Sequence, residues 1–152
     1  MTELNYVFYI DAPPEQVWQT LVSPEGTRST FFGTVLNSSL EPGASFEYVG
    51  PGADGENTVH VYGTILKADP GKVLSYLEHP GPSYRDNHAE LESRVTFTIE
   101  TVGSCTKLTL VNDQWTPDHP SFANSQEHWW MMLSNIKTYT ETGKTLDFGW
   151  QA

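Results

Sequence analysis

The sequence predicts an α+β fold in which one long helix lies on a curled antiparallel sheet of about seven strands. Two features support this class: a helical pattern near the C-terminal end, and a series of extended segments between residues 31 and 115. Short turns rich in glycine and proline separate these segments, and such turns join antiparallel neighbours. Two short helices are predicted after the first strand.

The long helix is predicted over residues 124–143. Five residues recur at the three- and four-residue spacing that places side chains on one helix face: Trp129, Met132, Leu133, Ile136 and Thr140. Asn124 is the expected N-cap, and Glu127 follows it at the spacing of a capping box. Gly143 comes where glycine readily adopts the left-handed conformation that ends a helix. The apolar face requires a broad apolar partner, which the predicted sheet provides.

The N-terminal part predicts a strand followed by short helices. Residues 4–10 are rich in aromatic and β-branched side chains, which favour strands. Pro14 suits the first turn of a helix. Three residues then share one helical face: Val17, Trp18 and Leu21. Residues 23–26 should end this helix, and the run to Thr30 predicts a further helical turn.

The remaining strands follow in chain order. They are predicted over residues 32–37, 45–49, 58–68, 73–79, 94–101 and 106–114. Residues 50–55 are predicted to form a loop because glycine, proline and aspartate alternate there, and residues 83–90 form a polar loop. The length suits one domain over residues 1–152.

Composition narrows the possible partners and the compartment. The formal charge of −11 disfavours binding to nucleic acid or to anionic membrane surfaces, since both require a basic patch. The one cysteine, Cys105, fits a reducing compartment. The N-terminus has no basic region before an apolar run, so no signal peptide is predicted, and no segment is long enough to insert into a membrane. We therefore expect a cytoplasmic monomer.

Alternation along the strands suggests which side chains face the helix. Leu74, Tyr76 and Glu78 form one such set, and Asn112 and Gln114 continue another. The predicted cavity-lining residues are Trp18, Phe46, Tyr48, Tyr76, Glu78, Phe97, Asn112, Trp115, Trp129, Met132 and Leu133. A fully packed core is the alternative for each aromatic residue. For Glu78 the favoured interpretation is a carboxylate in water at the rim.

The common catalytic and cofactor motifs are missing from the sequence. The histidines at positions 60, 79, 88, 119 and 128 match no zinc-ligand spacing, so we interpret them as surface residues. No G-x-S-x-G sequence accompanies the Ser, His and Asp residues. The glycines of residues 50–55 lack the spacing and the Lys-Ser of a phosphate-binding loop. No metal, no cofactor and no catalytic residue is predicted.

Several segments together resemble one family. They are I-D-A-P-P-E-Q-V-W at 10–18, L-E-P-G-A-S-F-E-Y at 40–48, Y-G-T-I-L-K-A-D-P at 62–70, E-S-R-V-T-F-T-I-E at 92–100, T-K-L-T-L at 106–110 and W-W-M-M-L-S-N-I-K-T-Y-T-E-T-G at 129–143. In this order they are similar to the AHSA-type branch, homologues of the activator of the heat-shock-protein ATPase, within the START-like (SRPBCC) superfamily. The resemblance implies a helix-grip fold with a cavity between the sheet and the long helix.

The same resemblance leaves the activity open, because relatives include lipid carriers, hormone receptors, aromatase/cyclases and a co-chaperone domain. Asn112 stands near a position where many relatives carry a histidine, and an amide cannot exchange protons near neutral pH. The leading hypothesis is a binding protein that holds an apolar aromatic or lipid-like molecule. The alternatives are a polyketide cyclase or dehydratase using Glu78 or a tyrosine, and a chaperone-linked protein-interaction module.

Overall fold

The computed structural model describes residues 3–52 and 54–149. The strands are β1 Leu4–Ile10, β2 Val35–Asn37, β3 Ser45–Pro51, β4 Asn57–Asp69, β5 Val73–Pro80, β6 Ser93–Val102 and β7 Cys105–Asp113. The helices are α1 Pro14–Val22, α2 Pro24–Thr30 and α3 Phe122–Thr142, with a 3₁₀ turn at His88–Glu90. The predicted order of elements is therefore confirmed for the described residues.

The described strands form one seven-stranded sheet in the order β1-β7-β6-β5-β4-β3-β2. All neighbouring pairs are antiparallel. The pairing register shifts between Tyr48 and Val49 and between Ile65 and Lys67, and such irregularities bend a sheet. The sheet is thus curled around its core face, as the helix-grip fold requires.

Helix α3 packs on the core through the predicted face. Its buried residues are Trp129, Met132, Leu133, Asn135, Ile136 and Thr140. It contacts β1, α1 and α2, and Thr140 bonds the hydroxyl of Thr20 on α1 at 2.8 Å. The left-handed end of the helix is confirmed at Gly143, where φ is 75°.

The predicted start of α3 is wrong by three residues, since the N-cap is Ser121 and not Asn124. The helix begins at Phe122, its N-cap is Ser121, and no side chain caps it, so the expected capping box of Asn124 and Glu127 does not form. Phe122 packs against the core and lies 5.1 Å from the ring of Trp115. This contact accounts for the earlier first turn, because burying an aromatic ring can outweigh a local capping preference.

The helices α1 and α2 are separated by a single residue. Ser23 ends α1 and its Oγ accepts the backbone N–H of Gly26 at 3.0 Å, so it also caps α2. A Cβ at Gly26 would lie 2.4 Å from the carbonyl oxygen of Thr20, which means that only glycine permits this close approach. Residues 23–26, which we expected to end α1, therefore include the first residues of α2.

Two predicted boundaries in the sheet also differ. The strand predicted from Phe32 begins only at Val35, because Phe32 and Gly33 have φ of 54° and 79° and turn the chain after α2. Strand β3 extends through Pro51, so the first part of the predicted 50–55 loop belongs to the sheet. Gln114, expected inside, is exposed because its φ of 54° ends the alternation after Asp113.

Candidate functional site

An open cleft of about 1150 Å³ lies at one end of the sheet, beside the N-terminal half of α3. Its walls come from the end of α2, the ends of β3, β4 and β5, the segment after β5, the β7–α3 connection and residues 146–148. Apolar side chains on the walls include Phe32, Val61, Trp115, Met131 and Met132. The volume is large enough for a drug-sized molecule.

One wall of the cleft is held to the sheet by tyrosine–histidine hydrogen bonds. The hydroxyl of Tyr84 donates to Nδ1 of His60, whose Nε2–H donates to the carbonyl of Pro51 at 3.0 Å. Farther along, the hydroxyl of Tyr62 lies 2.6 Å from Nδ1 of His88. The segment that we predicted as a polar loop is therefore bonded to β4 at two points.

The other end of this segment is tied to β5 and to the β7–α3 connection. The Nδ1–H of His79 donates to the carbonyl of Leu91 at 2.8 Å, and its Nε2 lies 3.4 Å from the Glu92 carboxylate. The hydroxyl of Thr116 accepts the backbone N–H of Glu92 at 2.8 Å. Because the segment is bonded at both ends, these contacts hold the cleft-lining side chains of His60, His79 and Tyr84 in place.

Glu78 lies on the cleft at the end of β5. Its side chain is half-buried, and burial raises its pKa from 4.5 to about 7. From the sequence we favoured a fully hydrated carboxylate at the rim. The half-buried position of Glu78 differs from that interpretation. A carboxyl with this pKa exchanges protons near neutral pH.

The raised pKa of Glu78 predicts a pH-dependent effect of its replacement. The folded protein binds the proton more tightly than the unfolded chain, so the carboxyl destabilises the fold progressively as pH rises from 4.5 through about 7. The change in the free energy of unfolding caused by Glu78→Gln should therefore depend on pH. It should be more stabilising at pH 8 than at pH 5 by roughly 1–3 kcal/mol. Urea titrations at the two pH values measure this difference.

The matched control is Glu41→Gln, which removes an exposed carboxylate in the turn before β3. Its effect should stay within about 0.5 kcal/mol at both pH values. An equal effect of Glu78→Gln at pH 5 and pH 8 would contradict the raised pKa.

Of the predicted cavity residues, the structure places Glu78, Trp115 and Met132 on the cleft. The other eight lie in the buried interior: Trp18, Phe46, Tyr48, Tyr76, Phe97, Asn112, Trp129 and Leu133. The rings of Phe46 and Tyr76 are 4.6 Å apart, and those of Phe97 and Trp129 are 5.9 Å apart. These rings pack against one another in the core between the sheet and the middle of α3.

Tyr48 and Tyr76, which could have offered hydroxyls to a ligand, bond each other instead at 3.1 Å. Both rings are buried, and desolvation is the main reason that the pKa of each phenol is raised. In the case of Tyr76 the neighbouring Tyr48 and Glu78 add to the shift. These tyrosines therefore stay neutral and form a polar contact within the aromatic core.

Asn112 connects three elements inside the core. Its Nδ2 donates to Oγ of Ser93 at 3.0 Å and to the carbonyl of Arg94 at 2.9 Å, both on β6. Its Oδ1 accepts the indole N–H of Trp129 on α3 at 3.0 Å. The side chain is fully buried and its amide is satisfied on both sides, so it holds β6, β7 and α3 in register.

Four of the five histidines are less exposed than we expected, whereas His128 is exposed as predicted. His119 is only 5% exposed, which corrects its interpretation as a surface residue, and its ring lies 4.9 Å from that of Trp115. His60, His79 and His88 are half-buried by the contacts described above. Within residues 3–52 and 54–149, no group of three or more histidine, cysteine, aspartate or glutamate side chains is placed to hold a metal ion.

Sequence reasoning missed most of the polar residues of the cleft. Four of the five histidines line it, together with Arg28 and Arg85. These residues come from α2, β4, β5, the segment after β5, the β7–α3 connection and α3, and no motif links them in the sequence. Only the strand register and the position of α3 bring them together.

None of the helices in the described part of the chain is long and apolar enough to cross a membrane.

Comparison with solved structures supports the fold. The chain has a TM-score of 0.68 and 20% identity to the Aha1 dimer from Colwellia psychrerythraea, covering 95% of this chain and 99% of that one. It has a TM-score of 0.69 and 18% identity to CalU16 from Micromonospora echinospora, covering 93% and 77%. For DynU16, a protein of the dynemicin biosynthetic locus, the values are 0.71 and 20%; the match covers 95% of this chain and about half, 49%, of that one.

Sequence comparison identifies the family. A search of curated protein sequences gave no significant match. The sequence model of the family described as Activator of Hsp90 ATPase homolog 1-like protein matches residues 11–141, which is most of the chain. This match and the structural neighbours confirm the AHSA-type resemblance and the helix-grip fold. The chain therefore belongs to the Activator of Hsp90 ATPase homolog 1-like family.

Proposed function

We propose that this protein binds an apolar aromatic or lipid-like small molecule in the cleft beside the N-terminal half of α3. The observation that carries the proposal is the cleft itself, whose volume of about 1150 Å³ suits such a ligand. The predicted aromatic residues under the middle of the helix belong to the buried core cluster, whereas the cleft is open to solvent, which supports the cleft as the binding site.

The apolar residues on the cleft suit a flat or flexible ligand. Met131 and Met132 lie side by side in the sequence of α3 and both reach the cleft. Methionine side chains adapt to the shape of a bound molecule, and the ring of Trp115 offers a flat apolar surface. Burying these groups against a ligand would supply the main free energy of binding.

The family comparison is compatible with this proposal. DynU16 belongs to a biosynthetic locus, which is a setting for proteins that handle small organic molecules. Its identity to the present chain is 20%, so this likeness supports the fold, while the cleft carries the functional argument.

The proposal can be tested with a panel of flavonoid-like, fatty-acid and polyketide-like compounds. A ligand should shift the backbone amide signals of residues on the cleft, such as His60, Met131 and Met132, in heteronuclear NMR spectra. A dissociation constant in the micromolar range corresponds to about −8 kcal/mol, which one or two dozen buried heavy atoms can supply. Failure of every compound to shift these signals would contradict the proposal.

Two tryptophan variants give a matched comparison. Trp115→Ala should weaken binding by about ten-fold because Trp115 lies on the cleft, a loss of roughly 1.4 kcal/mol. Trp130→Ala should leave binding unchanged, since Trp130 is 54% exposed and packs on Tyr6 outside the cleft. Met131→Ala provides a second cleft variant with a smaller effect on packing. Equal affinities for all variants would place the ligand elsewhere.

One observation favours a second candidate function, proton-transfer catalysis on a bound polyketide-like substrate. Glu78 lies on the cleft, and its pKa of about 7 is near the value at which a general acid or base works best. Mass spectrometry on the same panel distinguishes the two functions. Appearance of a product that is lost in Glu78→Gln would support the enzyme, whereas binding without turnover would support the carrier.

A further inference from the structure

The cleft collects cationic side chains in a protein of net charge −11. Two of the three arginines, Arg28 and Arg85, line it, whereas the third, Arg94, is paired with Asp113 at 2.9 and 2.7 Å. Neither cleft arginine donates a side-chain hydrogen bond or forms an ion pair with a described residue. Their guanidinium groups are therefore available to a ligand.

His119 adds a buried donor to the same cleft. Its Nδ1 accepts the backbone N–H of Ser121 at 3.1 Å, so the neutral ring carries its proton on Nε2. That Nε2–H has no partner among the described residues. Every fully buried side-chain nitrogen or oxygen in the described ranges has a hydrogen-bond partner, so the unpartnered Nε2 of His119 is accessible to solvent, and His119 lines the cleft. A donor in a ring that is 95% buried (5% exposed) is thus held ready for an acceptor.

Arg85 acts on the same ring. The pKa of His119 is lowered first by burial, and then by the charges of Arg85 and His79. His79 is already bonded to Leu91 and lies beside Glu92, whereas Arg85 is exposed and unpaired within the described chain. The guanidinium of Arg85 is therefore near enough to influence the charge of His119, and both side chains line the same cleft.

We infer that His119 and Arg85 form a subsite for the anionic head of the bound molecule, so that the ligand is an amphiphile carrying a carboxylate. The inference rests on the proposed function, because it names the chemical class of the ligand held in that cleft. A carboxylate would accept one hydrogen bond from His119 and up to two from the guanidinium, and charge-assisted bonds of this kind are the strong ones. The apolar part would lie along Trp115, Met131 and Met132.

The acidic side chains of the cleft do not oppose this arrangement strongly. Asp147 already accepts the backbone N–H of Gly149 at 2.8 Å. Glu78 has a pKa of about 7, so it carries only part of its charge at neutral pH. The two positive charges of Arg28 and Arg85 exceed the combined negative charge of Asp147 and the partly ionised Glu78. The cleft therefore favours an anion more than the rest of this acidic molecule does.

The test uses probes that differ only in the charge of the head. 2-Naphthoate is compared with 2-naphthamide, and decanoate with decanamide, by NMR and calorimetric titration of the full chain. At least one acid should bind about ten-fold tighter than its amide, and moderate salt should reduce the difference, because the Arg85 contact is exposed. If acids and amides bind equally well, the head-group subsite is wrong while the proposed cleft function stands. If no probe binds, both fail.

Three variants test which residues bind the anionic head group of the ligand. Arg85→Gln should remove most of the preference for the acid and weaken the amide much less, since the amide head is uncharged; it should fold normally because the side chain is exposed and unpaired among the described residues. His119→Phe keeps a ring against Trp115 and should also reduce the preference. Lys72→Gln removes the same charge at the β4–β5 turn, away from the cleft, and should change nothing. A full preference for the acid in Arg85→Gln would overturn the inference.

Discussion

Leu133→Ala should lower the free energy of unfolding by about 2–5 kcal/mol, the range for truncating a buried leucine. Leu133 is 1% exposed and lies on the face of α3 that packs on the core. Its removal leaves a cavity that the neighbouring core side chains cannot fill without leaving their own contacts. Urea denaturation followed by circular dichroism measures the loss.

The control for this variant is Glu127→Ala on the exposed side of the same helix, which should stay within about 0.5 kcal/mol of the parent protein. A loss of less than 0.5 kcal/mol for Leu133→Ala would show that α3 does not pack on the core through this face.

The second large effect is expected at Asn112. Asn112→Ala should cost about 2–4 kcal/mol, because it leaves the indole N–H of Trp129 and the acceptors on Ser93 and Arg94 without their partner in the core. The variant also removes the link between β6, β7 and α3. Thermal and urea unfolding measure the loss, and the near-ultraviolet signal of the tryptophans reports the altered packing.

A second asparagine provides the comparison. Asn5 lies on β1 and is exposed, and within the described chain its amide bonds only the carboxylate of Glu3, at 2.9 Å. Asn5→Ala should therefore change stability by no more than about 0.5 kcal/mol. Equal costs for the two variants would indicate that the buried amide contributes nothing beyond an exposed one.

This structural role changes the significance of Asn112. On sequence grounds its amide, near a position where relatives often carry histidine, weakens an acid–base role for this site. In the structure the side chain is fully buried and bonded on both sides. Asn112 therefore has a structural role in the core, and the proposed proton-transfer function rests on Glu78.

Much of the fold could be predicted from local patterns. Strand β1 has the bounds predicted from its aromatic and β-branched residues. Helix α3 buries the predicted face because the spacing of Trp129, Leu133 and Ile136 matches the helical period. Gly143 ends it because only glycine adopts φ of 75° at little cost. In each case the preference belongs to neighbouring residues, so the sequence carries it directly.

Boundaries that depend on distant contacts could not be predicted. Helix α3 starts at Phe122, whose ring packs on Trp115 and the core, and no local capping pattern encodes that contact. Likewise, Pro51 belongs to β3 because it pairs with Asn57 across the turn, although its neighbours are typical loop residues. Tertiary packing and strand pairing overrode local propensity at both positions.

The sequence by itself determined the α+β class, the order of elements, the apolar face of α3 and the family resemblance, because each is encoded in local spacing or in an ordered set of motifs. Only the tertiary structure decided which side chains meet. It placed Tyr48 and Tyr76 in a packed aromatic core and gathered Arg85, His119 and Glu78 on one cleft. That selection depends on the register of β4 and β5 and on how α3 crosses the sheet, which are set by long-range packing rather than by neighbouring residues.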